Sequence, residues 1–145
     1  MDHILSQEKK VGVVMKVKTV GYYKEMPHGA ESSDSIYDFI NKEDKSRVDQ
    51  ICRYLESGLE FIVSPGSVDD VIKPENGIAG SSSTFTDGKW FWPGDLSYYV
   101  RNYRLKLPDV FTEFMKENGW KVKITFDDLD MSDIEVDGVR LFEEE

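Results

Sequence analysis

Between Thr84 and Tyr103 the chain gathers Phe85, Trp90, Phe91, Trp92, Tyr98, Tyr99 and Tyr103, including two of its three tryptophans. Asp87-Gly88 lies between two β-prone runs, and both residue types tolerate the positive φ that a two-residue type I′ hairpin turn demands. Such a turn pairs Thr86 with Lys89, Phe85 with Trp90, Thr84 with Phe91 and Ser83 with Trp92. Side chains alternate along a strand, so Phe85, Trp90 and Trp92 share one face and Phe91 takes the other. Pro93 ends the ladder, Gly94-Asp95 offers an N-cap, and Leu96, Tyr99, Val100 and Tyr103 follow at helical spacing. A hairpin that runs straight into an amphipathic helix has to bury both elements against the same core. Aromatics at these spacings read as core wall more readily than as a stacking platform for a ligand.

The flanking segments supply the rest of an α+β domain. Val11, Val13, Met15 and Val17 alternate with Lys16 and Lys18, which predicts a strand with one wet face. Met26-Pro27-His28-Gly29-Ala30 reads as a loop in which His28 is exposed. Ser35 can cap a short helix through Ile40, and Asp44 or Ser46 a longer one whose stripe is Val48, Ile51, Cys52 and Leu55 and whose stop is Gly58. Leu59–Ser64 reads as a strand, Val68–Ile72 as a short strand or turn, and Ile78–Ser83 as the first strand of the hairpin. Pro108-Asp109 opens a further helix with Val110, Phe111, Phe114 and Met115 on its apolar face. Asn118-Gly119 ends it, and Trp120 folds back on its last turn. Lys121–Phe126 alternates as a strand, and Ile134–Phe142 adds a last strand or irregular piece. The expected architecture is one domain over 1–145: an antiparallel sheet with a central β-hairpin packed by three or four helices. Residues 1–10 form a loose arm, and 127–145 an acidic end.

Chemistry-bearing motifs are sparse. Cys52 is the single cysteine and falls on a buried face, so disulfide, zinc and nucleophile roles lose their support. Asp128, Asp130 and Ser132 have the opening spacing of an EF-hand loop, but Asp133 stands where its glycine belongs and Val139 where its glutamate belongs. Ile78–Ser83 lacks the lysine and spacing of a phosphate loop, and no hydrolase, zinc-protease or dinucleotide motif is present. The sequence therefore points to no catalytic residue, metal or cofactor. No apolar run approaches the ~20 residues needed to cross a bilayer, and the amino terminus does not read as a secretory signal, which makes the cytosol the default.

Charge is more informative. The chain carries −10. Residues 127–145 hold nine carboxylates against Arg140 and so account for −8, leaving −2 for residues 1–126. This balance disfavours nucleic acid as a partner and favours a basic protein, with Asp127, Asp128, Asp130, Asp133, Glu135 and Asp137 as the candidate partner-binding residues. The competing reading of the same segment is a solvated terminus.

Tyr54-Leu55 with Gly58, then Thr86-Asp87-Gly88 with Trp90, Trp92-Pro93, Leu96 and Tyr98-Tyr99-Val100, then Leu107-Pro108 with Phe111, resembles a domain pattern of small uncharacterised bacterial proteins over about residues 48–120. In size, acidity and general make-up the chain is also similar to the acidic immunity proteins encoded beside polymorphic or contact-dependent toxins. That resemblance implies a cytosolic protein without catalytic activity that binds a basic toxin domain, such as a nuclease, and blocks it. The alternative is a cytosolic protein-binding or scaffold domain that serves no toxin. The resemblance carries over no catalytic residue.

Overall fold

A computed structural model describes residues 15–129 and 134–140. Its main sheet has six strands: β1 (Met15–Thr19), β2 (Leu59–Ile62), β5 (Thr84–Thr86), β6 (Trp90–Pro93), β7 (Ile134–Val136) and β8 (Val139–Arg140), in the order β2-β5-β6-β1-β7-β8. A separate antiparallel pair joins β3 (Ser67–Asp69) to β4 (Ile78–Ser81). Among the described residues three α-helices accompany them: α1 (Lys45–Glu56), α2 (Leu96–Tyr103) and α3 (Asp109–Glu117). The α+β class is as expected, but the sheet is mixed: β1 runs parallel to β6 on one side and to β7 on the other. Parallel neighbours need long crossovers, and the crossovers here carry the helices.

The hairpin forms between β5 and β6 with its register displaced by two residues. Phe85 pairs with Trp92 and Thr86 with Phe91. An even displacement preserves the faces, so Phe85, Trp90 and Trp92 do share one side while Phe91 points to the other. The turn is not type I′: Gly88 has φ +96°, whereas Asp87 is not in the left-handed region. Asp87 instead folds its carboxylate into the loop, where Oδ1 accepts from the Lys89 and Trp90 amides at 2.8 Å each. Thr86 Oγ1 donates to the Trp90 carbonyl at 2.8 Å and accepts from the Gly88 amide at 3.0 Å. These side-chain bonds satisfy a wider loop than the two-residue turn could contain.

The aromatic face of the hairpin is where the three helices converge. Tyr54, Trp92 and Phe111 form one group, with Trp92 and Phe111 centroids 5.6 Å apart and Tyr54 and Trp92 centroids 6.1 Å apart. Ile51, Leu55, Leu96, Tyr99, Val100, Leu105, Leu107 and Met115 complete the buried core around them. On the opposite face Phe91 joins Val17 and Ile134 in a smaller cluster, with Phe61 4.9 Å away. Lys16 and Lys18 are exposed as the alternation required.

α1 begins at Asp44, whose Oδ1 accepts from the Ser46 amide at 2.9 Å. Gly58 follows it without a left-handed φ; a Cβ there would lie 2.5 Å from Trp92 Cζ2, so close approach of the indole explains the glycine. α3 ends at Asn118, with Gly119 at φ +70°, and the Trp120 amide donates back to the Met115 carbonyl at 2.9 Å. Val110 is 66% exposed, so α3 presents Phe111 and Met115 to the core without it.

Two expected strands are placed differently. Ile78–Ser81 pairs with β3 and not with the hairpin, because Ser82 and Ser83 break the run: the Ser82 amide donates to the Gly66 carbonyl and Ser83 Oγ accepts from the Ser64 amide. Lys121–Thr125 joins no ladder. The Val122 amide donates to Ser57 Oγ at 3.0 Å, and Ile124 packs beside the hairpin turn at Gly88, so the apolar alternation serves packing alone. The loose-arm reading of residues 1–10 and the start of the first strand at Val11 lie outside the described residues.

Candidate functional site

The candidate acidic residues fall in two places. Asp127 and Asp128 belong to a 3-10 turn, Phe126–Asp128, set by a capping box in which Asp128 Oδ2 accepts from the Thr125 amide at 2.8 Å. The same turn leaves Phe126 52% exposed beside the two carboxylates. Glu135 and Asp137 sit on the sheet. Glu135 is the register partner of Lys16 across β1 and β7. Asp137, at the β7–β8 turn with φ +50°, accepts from the Thr19 amide at 2.9 Å and from Thr19 Oγ1 at 2.5 Å. Its charge is therefore committed to fastening β7 onto β1, and the Ile134–Arg140 stretch is a hairpin of the main sheet. Asp130 and Asp133 lie outside the described residues.

Three buried aspartates carry more local chemistry than the acidic end does. Asp70, 1% exposed, accepts from the Ile72 and Lys73 amides through Oδ1, and from Tyr98 Oη at 2.8 Å, Tyr103 Oη at 2.5 Å and Asn76 Nδ2 at 3.1 Å through Oδ2. Burial alone would push this carboxyl up; the donors from Tyr103, Lys73, Tyr98 and Asn76 outweigh it and bring it down to about 2. It ties the chain before the 3-10 turn Pro74–Asn76 to the outer face of α2. Asp87, besides its turn bonds, accepts from Tyr54 Oη at 2.6 Å. Here burial prevails over the donors from Tyr54, Lys89 and Trp90, so its carboxyl is raised, and burial together with the Asp87 charge raises the Tyr54 phenol.

Asp95 is the third. It occupies the N-cap position of α2 without bonding to the helix, it is fully buried, and neither oxygen has a hydrogen-bond partner among the described residues. His28 Nε2 lies 3.6 Å from Asp95 Oδ1. The expectation of an exposed His28 is therefore corrected: the imidazole is 22% exposed, both its nitrogens are buried, and it meets Tyr22 edge-on at 5.0 Å. Met26, 3% exposed, draws this loop inward. Sequence alone gives no reason to join residues 28 and 95. A buried His–Asp pair can hold or pass a proton, but no third reacting group is set against it by a described hydrogen bond.

Cys52 is buried as the helix stripe required. Its Sγ faces the Ser97 carbonyl at 3.4 Å, and burial pushes the thiol up to about 11, away from nucleophilic chemistry. Among the described residues no group of three or more His, Cys, Asp and Glu side chains is placed to hold a metal ion, and no helix is long and apolar enough to cross a membrane. An open groove of about 690 Å³ runs between Tyr22, Tyr23 and Phe39 on one side and Lys106–Asp109 on the other. Its charges are of both signs, and Lys106 is already paired with Asp109 at 3.0 Å. Compared with known protein families, curated proteins and solved structures, the chain matches none.

Proposed function

We propose that this chain is an immunity-type protein of the cytosol, without catalytic activity of its own, that binds and neutralises a basic toxin domain. The observation that supports the reading is the capped turn that leaves Phe126 exposed next to the exposed pair Asp127 and Asp128. Protein interfaces draw most of their binding energy from a few aromatic anchors, while rim charges set encounter rate and partner choice. An exposed phenylalanine flanked by carboxylates suits a partner that offers an apolar pocket rimmed by lysine and arginine. The −8 charge of residues 127–145 suits the same kind of partner. Asp70 and Asp87 spend their oxygens on internal donors, which favours a binding role over acid–base chemistry.

The test is co-expression with the basic carboxy-terminal domain of a secreted protein encoded in the neighbouring reading frame. Cells producing that domain are expected to survive when this chain is present, and Phe126→Ala is expected to weaken the complex by about 2 kcal/mol or more. Asp127→Lys is expected to slow association at low salt with little change at high salt. Asp128 is a poor choice for the same substitution, because lysine there also removes the cap. Survival that does not depend on the chain, with no complex formed, would leave the scaffold reading in its place.

A further inference from the structure

A depression of about 490 Å³ opens where α1 meets the turn after α3, lined by Gln50, Arg53, Ser57, Gly119, Trp120 and Lys121. In a chain of net charge −10, none of the described residues lining this depression is acidic, and two are cationic. Trp120 has φ +64°, an uncommon conformation for a bulky residue, which sets the indole against α1. The Arg47 guanidinium lies over that ring, 5.8 Å from its centroid, and is not itself part of the lining of the depression. Ser57 is rigid rather than available, since its hydroxyl donates to the Tyr54 carbonyl at 2.7 Å and accepts from the Val122 amide. Arg53 does have a partner, Asp49, at 2.8 Å, but both side chains are about two-thirds exposed and Asp49 also lies 3.6 Å from Arg101. An exposed pair of this kind is weak, and Arg101 can keep Asp49 company if Arg53 turns to a ligand.

We propose that this depression binds a small ligand joining a flat ring to an anionic group, of the nucleoside monophosphate type. The ring stacks on Trp120, the anion sits between Arg53 and Lys121, and the Gln50 amide offers one donor and one acceptor to the ring edge. The inference does not rest on the toxin-binding reading, whose turn at Phe126 is a different element.

The experiment is titration of the full chain with AMP, adenosine and inorganic phosphate, following tryptophan fluorescence. Trp92 is 1% exposed and Trp90 is half-buried and tilted against Phe111, so the Trp120→Phe variant identifies which indole reports. AMP is expected to quench saturably at about millimolar concentration or below, adenosine to bind at least about tenfold more weakly, and phosphate alone to leave the emission unchanged. The exposed-site variant Arg53→Gln/Lys121→Gln is expected to lose about tenfold or more in AMP affinity at unchanged thermal midpoint. Trp120→Phe should abolish the quenching. The proposal is overturned if AMP gives no saturable signal, if adenosine binds as well as AMP, if the double variant binds AMP as wild type does, or if quenching survives in Trp120→Phe.

Discussion

Asp70 shows how a single residue can hold two parts of this chain together. Its donors come from its own loop and from Tyr98 and Tyr103 on α2, so ionisation of one carboxyl fixes that loop against the helix. The folded value of about 2 is below the ordinary 3.8. A depressed carboxyl contributes stability above its unfolded value and loses it as pH falls through the folded one. Wild type is therefore expected to exceed Asp70→Asn in urea midpoint near neutral pH by an amount on the order of 1–2 kcal/mol, and the gap should close as pH falls from about 4 to about 2. A gap that stays constant across that range would show that the tyrosines bond to the side chain irrespective of its charge. Gly58 makes a second prediction at this scale. With its missing Cβ 2.5 Å from Trp92 Cζ2, Gly58→Ala should cost about 1–3 kcal/mol in chemical denaturation through displacement of the indole.

The hairpin is the element whose boundaries and faces can be tested separately. Trp92 is 1% exposed and its Nε1 donates to the Leu55 carbonyl at 3.3 Å, whereas Trp90 is half-buried against Phe111 at 4.9 Å. Trp92→Ala should cost ~3–5 kcal/mol and Trp90→Ala distinctly less, read from urea midpoints at a common slope. Gly88→Val meets both a φ of +96° and Ile124 Cδ1 at 2.9 Å from the added Cβ, so it should destabilise by ~1–3 kcal/mol even though the turn is wider than type I′. At the other end of the sheet, Thr19→Val keeps a β-branched strand residue but removes the hydroxyl that donates to Asp137. The expected loss is about 1 kcal/mol, with faster amide exchange confined to β7 and β8. Unchanged exchange there would mean that the β1–β7 ladder holds without the Asp137 clamp. Edge strand β2 carries a register irregularity between Glu60 and Ile62, a feature that discourages pairing with another chain despite Val63 being 72% exposed.

For the molecule as a whole, local pattern was a good guide to what is buried and a poor guide to what lies beside what. The stripe on α1, the faces of the hairpin, the cap at Asp44 and the stop at Gly119 follow from period, cap chemistry and turn chemistry, all of which act within about four residues. They were legible in the sequence because each is decided by neighbours along the chain. The parallel placement of β1 between β6 and β7 was not, since alternation records which face is wet and carries no information about the direction or identity of the neighbouring strand. The same limit applies to the candidate sites. Acidity at 127–145 can be counted in the sequence, but only the tertiary structure bonds the Asp137 carboxylate, itself exposed, to Thr19 and sets Phe126 and Asp127 out to solvent. His28 with Asp95, Tyr54 with Asp87, and Asp70 with Tyr103 are pairs separated by tens of residues, each created only when the elements dock. By itself the sequence determined the α+β class, the hairpin's two faces and the uneven charge. Only the tertiary structure decided the sheet order, the wider hairpin turn and which carboxylates are spent inside, because those depend on which desolvated donor reaches which oxygen once the core has closed.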